Sequence, residues 1–287
     1  MPVQEGYIEV TGGRVWYELH ENDSGKTPVI ILHGGPGSSH YSMQGLKTLA
    51  AERTVIFYDQ LGCGKSARPA DTSLWHIDRF VQELGQVKDA IGLKEFDILG
   101  HSWGTTLAAA YYFASPAGVR KIIFSSPCLS APIWANDQEK NIAKLPIDVR
   151  IALKTGEKFG TTSTQEYKNA TEVFNKHFVC RLDPKPDFLN KGKQYANPEV
   201  YNFMWGPSEF HVKGNLKEID FTSRLKRIGI PTLFTCGRYD EATPESTEFF
   251  SSITPGSKFH VFEESAHMAY VEEPQEYLRI INAFLRQ

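Results

Sequence analysis

The feature that most constrains the fold of this chain is the pentapeptide GHSWG at residues 100–104, which stands between an apolar run, FDIL, and a helical pattern, TTLAAAYYFA. Glycines two positions on either side of a serine allow a sharp strand-to-helix turn, because neighbouring backbone can then approach a strained residue closely. Such a turn exposes the serine Oγ and points the positive end of the helix at it. The pattern therefore predicts that Ser102 is a nucleophile.

The rest of the chain repeats the alternation of strand and helix that this turn requires. Short apolar runs typical of strands occur at residues 15–20, 28–32, 54–58, 96–99, 121–124, 231–235 and 258–262. Helical patterns occur at residues 77–91, 105–114, 245–252 and 274–285. Apolar runs of this kind suit strands that are covered on both faces. We therefore predict an α/β fold with a mostly parallel, doubly wound sheet.

The alternation stops between about residues 128 and 222. This region is rich in Lys, Asn, Pro and aromatic residues and contains no convincing apolar strand, whereas helices are predicted at residues 137–145, 147–154, 163–178 and 197–205. Because structureless loops of this length are rare in compact domains, we predict an inserted helical cap domain at residues 128–222. Residues 1–127 and 223–287 then form the core domain.

A second glycine-rich segment, HGGPG at residues 33–37, follows the apolar run VIIL. Such a segment is commonly no more than a Gly/Pro turn. Beside a serine nucleophile it also suits an oxyanion hole, because glycines let a backbone N–H face the substrate carbonyl. We expect the two donors to be the N–H groups of Gly35 and of Trp103, the residue that follows Ser102.

An acid and a histidine stand where a catalytic triad would need them. Asp240 follows the predicted strand PTLFT, and His267 follows the predicted strand KFHVF. Taken singly, each is an ordinary loop side chain, but nucleophile, acid and base all follow strands and come in a known chain order. We therefore predict that Asp240 orients His267 and that His267 accepts the proton of Ser102.

The bulk composition sets further limits on function. The chain has 287 residues, of which 41% are hydrophobic and 23% charged, and its formal net charge is −3 without blocks of like charge. We therefore expect no nucleic-acid partner and no membrane partner. The first residues lack the basic start and apolar run of a signal peptide, and the four cysteines form no CxxC pair, so we expect a reduced, cytoplasmic protein.

The motifs predict neither a cofactor nor a metal site. Most histidines show no paired spacing typical of metal ligands, and His101, next to the nucleophile, is expected to pack or to form hydrogen bonds. The segment GCGKS at residues 62–66 looks like a phosphate-binding loop. That motif needs a glycine where Asp59 stands, so we reject nucleotide binding.

With these motifs in hand, the chain resembles the proline iminopeptidase (prolyl aminopeptidase) family of α/β-hydrolases over nearly its whole length. The resemblance rests on HGGPG at 33–37, on Asp59-Gln60 with Gly62, Gly64 and Ser66, on GHSWG at 100–104, and on the acid and histidine motifs. The family also carries a cap motif like GPSEF, which is present here at residues 206–210. The resemblance implies the α/β-hydrolase fold, and it implies that Glu209 and Glu241 bind the free α-ammonium of the substrate.

The chain departs from the family pattern at two positions. Leu61 follows Asp59-Gln60 where an arginine is common, and Thr105 follows the pentapeptide where another glycine is common. Neither change removes a catalytic group, but both leave the preference for proline open. Five aromatic residues of the cap region form either a pocket for a small first residue or part of the cap core, namely Trp134, Tyr195, Tyr201, Phe203 and Trp205.

These expectations describe a serine aminopeptidase that hydrolyses the amide after a free N-terminal residue, preferably proline or a small apolar residue, through an aminoacyl-enzyme. The substrate is expected to be a small peptide or an aminoacyl amide. Three alternatives stay open: an amino-acid amidase, a carboxylesterase or lactonase with the same triad, and a non-catalytic ligand receptor on the same fold. The sequence leaves the oligomeric state open and is compatible with a monomer.

Overall fold

The computed structural model describes residues 2–287, which form one eight-stranded sheet with helices packed on both faces. The strands are β1 Val3–Val10, β2 Gly13–His20, β3 Val29–Leu32, β4 Val55–Tyr58, β5 Phe96–Ser102, β6 Val119–Pro127, β7 Thr232–Gly237 and β8 Lys258–Phe262. The α-helices are α1 Ile77–Ile91, α2 Trp103–Ala114, α3 Ala131–Ala143, α4 Ile147–Phe159, α5 Gln165–Phe178, α6 Asp187–Tyr195, α7 Pro198–Met204, α8 Thr222–Leu225, α9 Pro244–Ser252, α10 Ala269–Glu272 and α11 Pro274–Leu285. Two 3-10 helices span His40–Ala51 and Thr72–Leu74. None of the helices in residues 2–287 is long and apolar enough to cross a membrane.

The sheet runs in the order β1-β2-β4-β3-β5-β6-β7-β8. Strand β2 pairs antiparallel with β1 and β4, and all pairs from β4 to β8 are parallel. The predicted α/β fold with a mostly parallel sheet is therefore confirmed. Strand β1 was not predicted, because most of its side chains are exposed and its sequence, VQEGYIEV, carries no compact apolar run.

Alternate residues of the central strands point into two different cores, because side chains in a strand alternate between faces. Ile30 of β3 packs in one core with Phe80 of α1, and Ile31 packs in the other with Tyr277 of α11. Both faces of β3 and β4 are therefore buried, which explains their uniformly apolar sequences. Burial of an aliphatic side chain of this size stabilises the fold by about 1.5–3 kcal/mol.

The parallel strands end at one edge of the sheet, and the three predicted triad residues lie there. Ser102 is the last residue of β5, Asp240 follows β7, and His267 follows β8. In open α/β sheets, ligands bind in the crevice outside the carboxyl ends of the strands. The fold therefore places residues from three distant parts of the sequence at the edge where a ligand site is expected.

Residues 128–221 contain five helices, α3 to α7, and no strand, where the sequence predicted four helices. Helix α3 begins at Ala131 rather than at residue 137, because the Ser130 side chain accepts a hydrogen bond from the N–H of Ile133 and caps the helix. Helices α4 and α5 share a hydrophobic cluster that includes Leu153 and Phe174. The division into a core domain and a cap domain at residues 128–222 stays a prediction.

Candidate active site

Ser102 lies at a sharp turn between β5 and α2, with a positive φ of 55°. Non-glycine residues adopt such backbone angles at a cost of about 1–3 kcal/mol, and only where the surrounding structure holds them. The glycines of the motif supply space: a Cβ on Gly100 would lie 2.3 Å from the carbonyl oxygen of Gly104, and one on Gly104 would lie 2.2 Å from that of Leu32. GHSWG therefore forms the strand-to-helix turn that its sequence indicates.

Thr105 ties this turn to the neighbouring strand β6. Its hydroxyl donates to the carbonyl oxygen of Ser102 at 2.7 Å and accepts from the N–H of Cys128 at 2.9 Å. The Thr106 hydroxyl donates to the carbonyl oxygen of Cys128. A threonine at position 105 thus adds hydrogen bonds that a glycine side chain could not make. Its hydroxyl is engaged with backbone groups, so the role of Thr105 is structural.

Asp240 and His267 form a direct pair. His267 Nδ1 lies 2.7 Å from Asp240 Oδ1, and both side chains are almost fully buried. The Asp240 carboxylate also accepts the N–H groups of Ala242 at 2.8 Å and of Gly237 at 3.2 Å. A carboxylate held in this way fixes the imidazole with its proton on Nδ1 and leaves Nε2 available as a base.

Ser102 and His267 line the same cavity, which has a volume of about 170 Å³. No hydrogen bond joins Ser102 Oγ to His267 Nε2 within residues 2–287, and Nε2 lies 3.6 Å from Glu241 Oε1. Catalytic hydrogen bonds are often long or poorly aligned without substrate and shorten when it binds. The structure therefore brings the three predicted triad residues to one site, with the Asp–His bond already formed.

A second serine with a positive φ, Ser126, supports the histidine loop, which is the segment after β8 that carries His267. The sequence did not predict this role. Ser126, with φ 53°, and Ser102 are the two non-glycine residues with positive φ in residues 2–287. The Ser126 hydroxyl donates to the carbonyl oxygen of His267 at 2.9 Å. The sequence around it, SSP after an apolar run, gives no signal for this contact, because the contact exists only once β6 lies beside the loop after β8.

A buried hydrogen-bond network joins the HGGPG segment to the nucleophile turn through Gln60. Its side chain donates from Nε2 to the carbonyl oxygen of His33 at 3.2 Å and accepts at Oε1 from Trp103 Nε1 at 2.8 Å. The Gln60 backbone N–H donates to His33 Nε2 at 3.1 Å. Since Nε2 is the acceptor, the His33 ring is neutral with its proton on Nδ1, and burial lowers the pKa of His33 accordingly. Sequence analysis gave Gln60 no role beyond the resemblance.

The same network sets the direction of the Gly35 N–H. His33 Nδ1 donates to the carbonyl oxygen of Gly34 at 2.9 Å. The Gly34–Gly35 peptide bond is trans, so the Gly35 N–H points away from the His33 ring. Gly34 lies against Ser102, since a Cβ on Gly34 would be 3.1 Å from the Ser102 Cβ. Trp103 is the first residue of α2, so its N–H has no partner within the helix.

Glu209 and Glu241 line the cavity together with Ser102. Burial raises the pKa of Glu241 well above its usual range, and the negative charges of Glu209 and Asp240 raise it further. Burial also raises the pKa of Glu209, although the neighbouring His267 opposes this shift. Glu241 Oε2 is buried and has no hydrogen-bond partner within the described residues. Two carboxyl groups in this state favour a cation that can pair with both.

Helices α3 and α5 hold the loop that carries Glu241, and α5 also holds the loop that carries His267. The carbonyl oxygen of Phe178, the last residue of α5, accepts the N–H groups of Glu241 at 3.1 Å and of His267 at 3.3 Å. Gln138 Nε2 of α3 donates to the carbonyl oxygen of Glu241 at 2.9 Å. The loop that follows β7 is therefore bonded to α3 and α5, and the loop that follows β8 is bonded to α5.

Three of the five aromatic residues considered for a pocket lie at this site. Trp134 and Trp205 line a small cavity with Ser102 and Glu209, and their rings meet edge to face with centroids 5.8 Å apart. Trp134 Nε1 also donates to the carbonyl oxygen of Glu209 at 2.8 Å. The Tyr201 hydroxyl is buried, and the negative charge of Glu209 adds to the effect of burial in raising the pKa of Tyr201. Trp134 and Trp205 therefore form an apolar wall of the small cavity, and the Tyr201 hydroxyl lies near the Glu209 carboxyl group.

The other two aromatic residues lie outside the cavity. Tyr195 packs against Tyr41, with ring centroids 4.7 Å apart, and lines none of the cavities around Ser102. Phe203 is 39% exposed and meets the ring of His76 at 6.3 Å. Their aromatic character therefore serves packing at the edge of the cap region.

The GCGKS segment at residues 62–66 wraps around the Asp59 carboxylate. Asp59 accepts the N–H groups of Lys65 at 2.8 Å and of His40 at 2.7 Å. A Cβ on Gly64 would lie 2.0 Å from this carboxylate, so the close approach requires glycine. The segment thus supports the loop that carries Gln60.

Comparisons with known proteins agree with this architecture. Residues 27–274 match the family described as alpha/beta hydrolase fold. A proline iminopeptidase of Heyndrickxia coagulans is 61% identical over 282 residues, which cover 98% of both chains. The crystal structure of the protein VinJ covers 99% of this chain and 98% of its own at a TM-score of 0.94 and 33% identity. That of the proline iminopeptidase of Mycobacterium smegmatis has the same coverage, with a TM-score of 0.91 and 32% identity.

Proposed function

This chain belongs to the α/β-hydrolase fold family and, within it, to the proline iminopeptidases, and we propose that it is a serine aminopeptidase. It hydrolyses the amide that follows a free N-terminal residue, with proline or a small apolar residue preferred. The observation that carries the proposal is a cavity that holds Ser102 and His267 together with two glutamates, the buried Glu241 and the partly buried Glu209. A hydrolase that reads an amino terminus needs this combination of nucleophile, base and paired anions.

The proposed reaction proceeds through a covalent aminoacyl-enzyme. Ser102 Oγ attacks the carbonyl carbon of the N-terminal residue while His267 Nε2 accepts the serine proton. Asp240 holds the imidazole and stabilises its protonated form. His267 then gives the proton to the leaving amine, the C–N bond breaks, and the remaining peptide departs. Water attacks the ester in the same way and restores Ser102.

The tetrahedral oxyanion is held by two backbone donors, the N–H groups of Gly35 and Trp103. Loss of one such donor typically costs about 2.7–4 kcal/mol of transition-state stabilisation. The positioning of Gly35 through His33 and the helical start at Trp103 support this assignment. Both donors are backbone groups, so they cannot be removed by side-chain substitution, and a substitution must act through the groups that hold them.

Recognition of the amino terminus falls to Glu209 and Glu241. Glu209 comes from the region that we propose as a cap, residues 128–222, and Glu241 from the loop after β7. An internal peptide bond carries no ammonium and would leave both carboxyl groups without a cation, which is most costly for the buried Glu241. This arrangement restricts cleavage to the first residue. The apolar wall that includes Trp134 and Trp205 suits a first residue with an apolar side chain.

An amino-acid amidase uses the same groups and differs only in the leaving amine. A carboxylesterase or lactonase would use the triad without needing Glu209 and Glu241, whose burial is then unexplained. A non-catalytic receptor would not need the Asp240–His267 pair at 2.7 Å. The cytoplasmic location expected from the sequence stays a prediction.

The test is a substrate panel with purified protein: L-prolyl, L-alanyl and L-leucyl arylamides, prolinamide, and a short acyl ester. We expect the highest kcat/KM with the prolyl or alanyl arylamide, and a loss of about 10⁴-fold or more in Ser102→Ala. Ser252→Ala, at an exposed serine of α9, is the matched control and retains full activity. A kcat/KM for the ester far above that of every aminoacyl arylamide would favour the carboxylesterase instead.

A further inference from the structure

A second and larger cavity lies beside the catalytic one, between the end of α5, the following loop and α6. Its volume is about 560 Å³, which is within the range of small-molecule and peptide sites. The two cavities share four lining residues, namely Ser38, Ser42, Val179 and Met268. We call this larger cavity the α5–α6 groove. Because these residues line both volumes, the groove adjoins the catalytic cavity.

The charges of the two cavities differ in sign. The catalytic cavity holds the carboxyl groups of Glu209 and Glu241, and lysine is absent from its lining. The α5–α6 groove is lined by three lysines and two acidic residues, namely Lys176, Lys185, Lys193, Glu172 and Asp183. A short peptide has the complementary polarity, with an ammonium at its first residue and a carboxylate at its last.

Lys185 is the cation of the groove that has no carboxylate partner. Lys176 pairs with Asp183 at 3.3 Å, and Lys193 lies 3.9 Å from Glu172, in both cases between exposed side chains. Lys185 makes no ion pair within the described residues and is only partly exposed. An ammonium without a carboxylate partner is free to pair with an anion of the substrate, and partial shielding of its side chain from water strengthens such a pair.

We propose that the α5–α6 groove binds the part of the substrate that follows the scissile bond, and that Lys185 binds the carboxylate at its end. The proposal rests on the aminopeptidase function and adds a substrate class to it: short peptides with a free carboxyl terminus. The ammonium end lies between the two glutamates, the scissile carbonyl lies at Ser102, and the chain continues past Ser42 into the groove. Lys185 determines substrate specificity and not the chemical step, because it binds the end of the substrate and does not contact the bond that breaks.

The test compares matched substrates that differ only at the carboxyl terminus. We expect kcat/KM for Pro-Ala and Pro-Ala-Ala acids, for at least one of the two lengths, to exceed that of the corresponding carboxamide by about three- to tenfold, mostly through KM. In Lys185→Gln this preference disappears because the acid becomes poorer while the amide is unchanged. In Lys185→Glu the preference reverses. Raising the ionic strength reduces the wild-type preference.

Controls separate this proposal from the function on which it rests. Lys154→Gln removes an exposed lysine that pairs with Glu139 and does not line the groove, and it retains the wild-type preference for the acid. L-Prolyl arylamide has no carboxylate, so its hydrolysis is unchanged in both Lys185 variants. Equal kcat/KM for acid and amide at both lengths, with the arylamide still cleaved, overturns the Lys185 assignment alone. Failure of the arylamide itself overturns the aminopeptidase function.

Discussion

At the scale of single residues, the site depends on carboxyl groups that are held in unfavourable surroundings. Glu241 Oε2 is buried without a hydrogen-bond partner, and two other carboxyl groups stand near it. A cation relieves this repulsion, so the same charges that disfavour the empty site favour one that holds an ammonium. The binding of a charged amino terminus therefore relieves electrostatic repulsion that is already present among these carboxyl groups.

Glu209→Gln keeps the shape of the side chain and removes its charge. We expect kcat/KM for L-prolyl arylamide to fall by about 10- to 100-fold, because a hydrogen bond to a charged group contributes about 1.5–3 kcal/mol. The measurement is steady-state kinetics beside Glu199→Gln, an exposed glutamate of α7 that keeps wild-type values. Unchanged kinetics in Glu209→Gln would remove this residue from substrate recognition.

Gln60→Ala tests the link between the HGGPG segment and the nucleophile turn. The substitution leaves the His33 carbonyl oxygen and Trp103 Nε1 without their partner, which costs about 1–3 kcal/mol of stability. We also expect kcat to fall about tenfold with little change in KM, because displaced oxyanion donors weaken the transition state more than the ground state. The control is Gln86→Ala, because the Gln86 side chain bonds only to the exposed Thr11, and this variant keeps the kcat and KM of the wild type. A folded Gln60→Ala protein with wild-type kcat contradicts the positioning role.

At the scale of secondary-structure elements, glycines decide how closely β3, β5 and α2 approach. Gly104→Ala would place a Cβ 2.2 Å from the carbonyl oxygen of Leu32, and backbone cannot yield as a flexible side chain can. We expect a loss of more than about 3 kcal/mol in the free energy of unfolding, measured by urea denaturation. Gly229→Ala is the control, because nothing lies within 4 Å of its Cβ position, and it changes stability by less than about 0.5 kcal/mol. Similar stabilities for the two variants would disprove the packing argument.

Strand β5 also carries a buried carboxyl group whose titration affects stability. Burial raises the pKa of Asp97 to about 7, although Arg53 Nη1 lies 3.5 Å away. A folded-state pKa above the unfolded value gives stability that is complete below about pH 4 and is lost as the pH rises through 7. The free energy of unfolding of the wild type, relative to Asp97→Asn, should therefore fall by roughly 3 kcal/mol between pH 5 and pH 8. The control is Glu95→Gln, at an exposed residue, which keeps the pH dependence of the wild type. If the difference in the free energy of unfolding between the wild type and Asp97→Asn did not change with pH, the raised pKa of Asp97 would be contradicted.

The sequence predicts elements well where the local pattern and the tertiary surroundings demand the same residues. The strands β3 and β4 are buried on both faces, so their apolar runs identify them. Strand β1 and helix α6 were missed, since each is stabilised by neighbours on one side while most of its residues are polar. The turn at Ser102 was predictable because five adjacent residues, GHSWG, meet all of its steric requirements. The roles of Gln60 and Ser126 were not, because their partners are distant in sequence.

At the scale of the whole molecule, the chain arranges charge along one path. The carboxyl groups of Glu209 and Glu241 lie in the cavity that holds Ser102, and three lysines and two acidic residues line the groove beside it. Helix α5 contacts both the catalytic cavity and the α5–α6 groove. Its Phe178 carbonyl oxygen accepts hydrogen bonds from the loops that carry Glu241 and His267, and its Lys176 lines the groove. This arrangement is the basis of our proposal that the protein recognises a short peptide by both of its ends.

If the site requires a charged amino terminus, one pair of substrates that differ only in this charge must be cleaved at different rates. The measurement compares kcat/KM for L-prolyl arylamide and for the same compound with its nitrogen acetylated, which removes the charge and leaves the scissile bond unchanged. We expect the free compound to be preferred by at least about 10³-fold, because the acetylated form leaves the carboxyl groups of Glu209 and Glu241 without a cation. Equal rates for the free and acetylated compounds would contradict it.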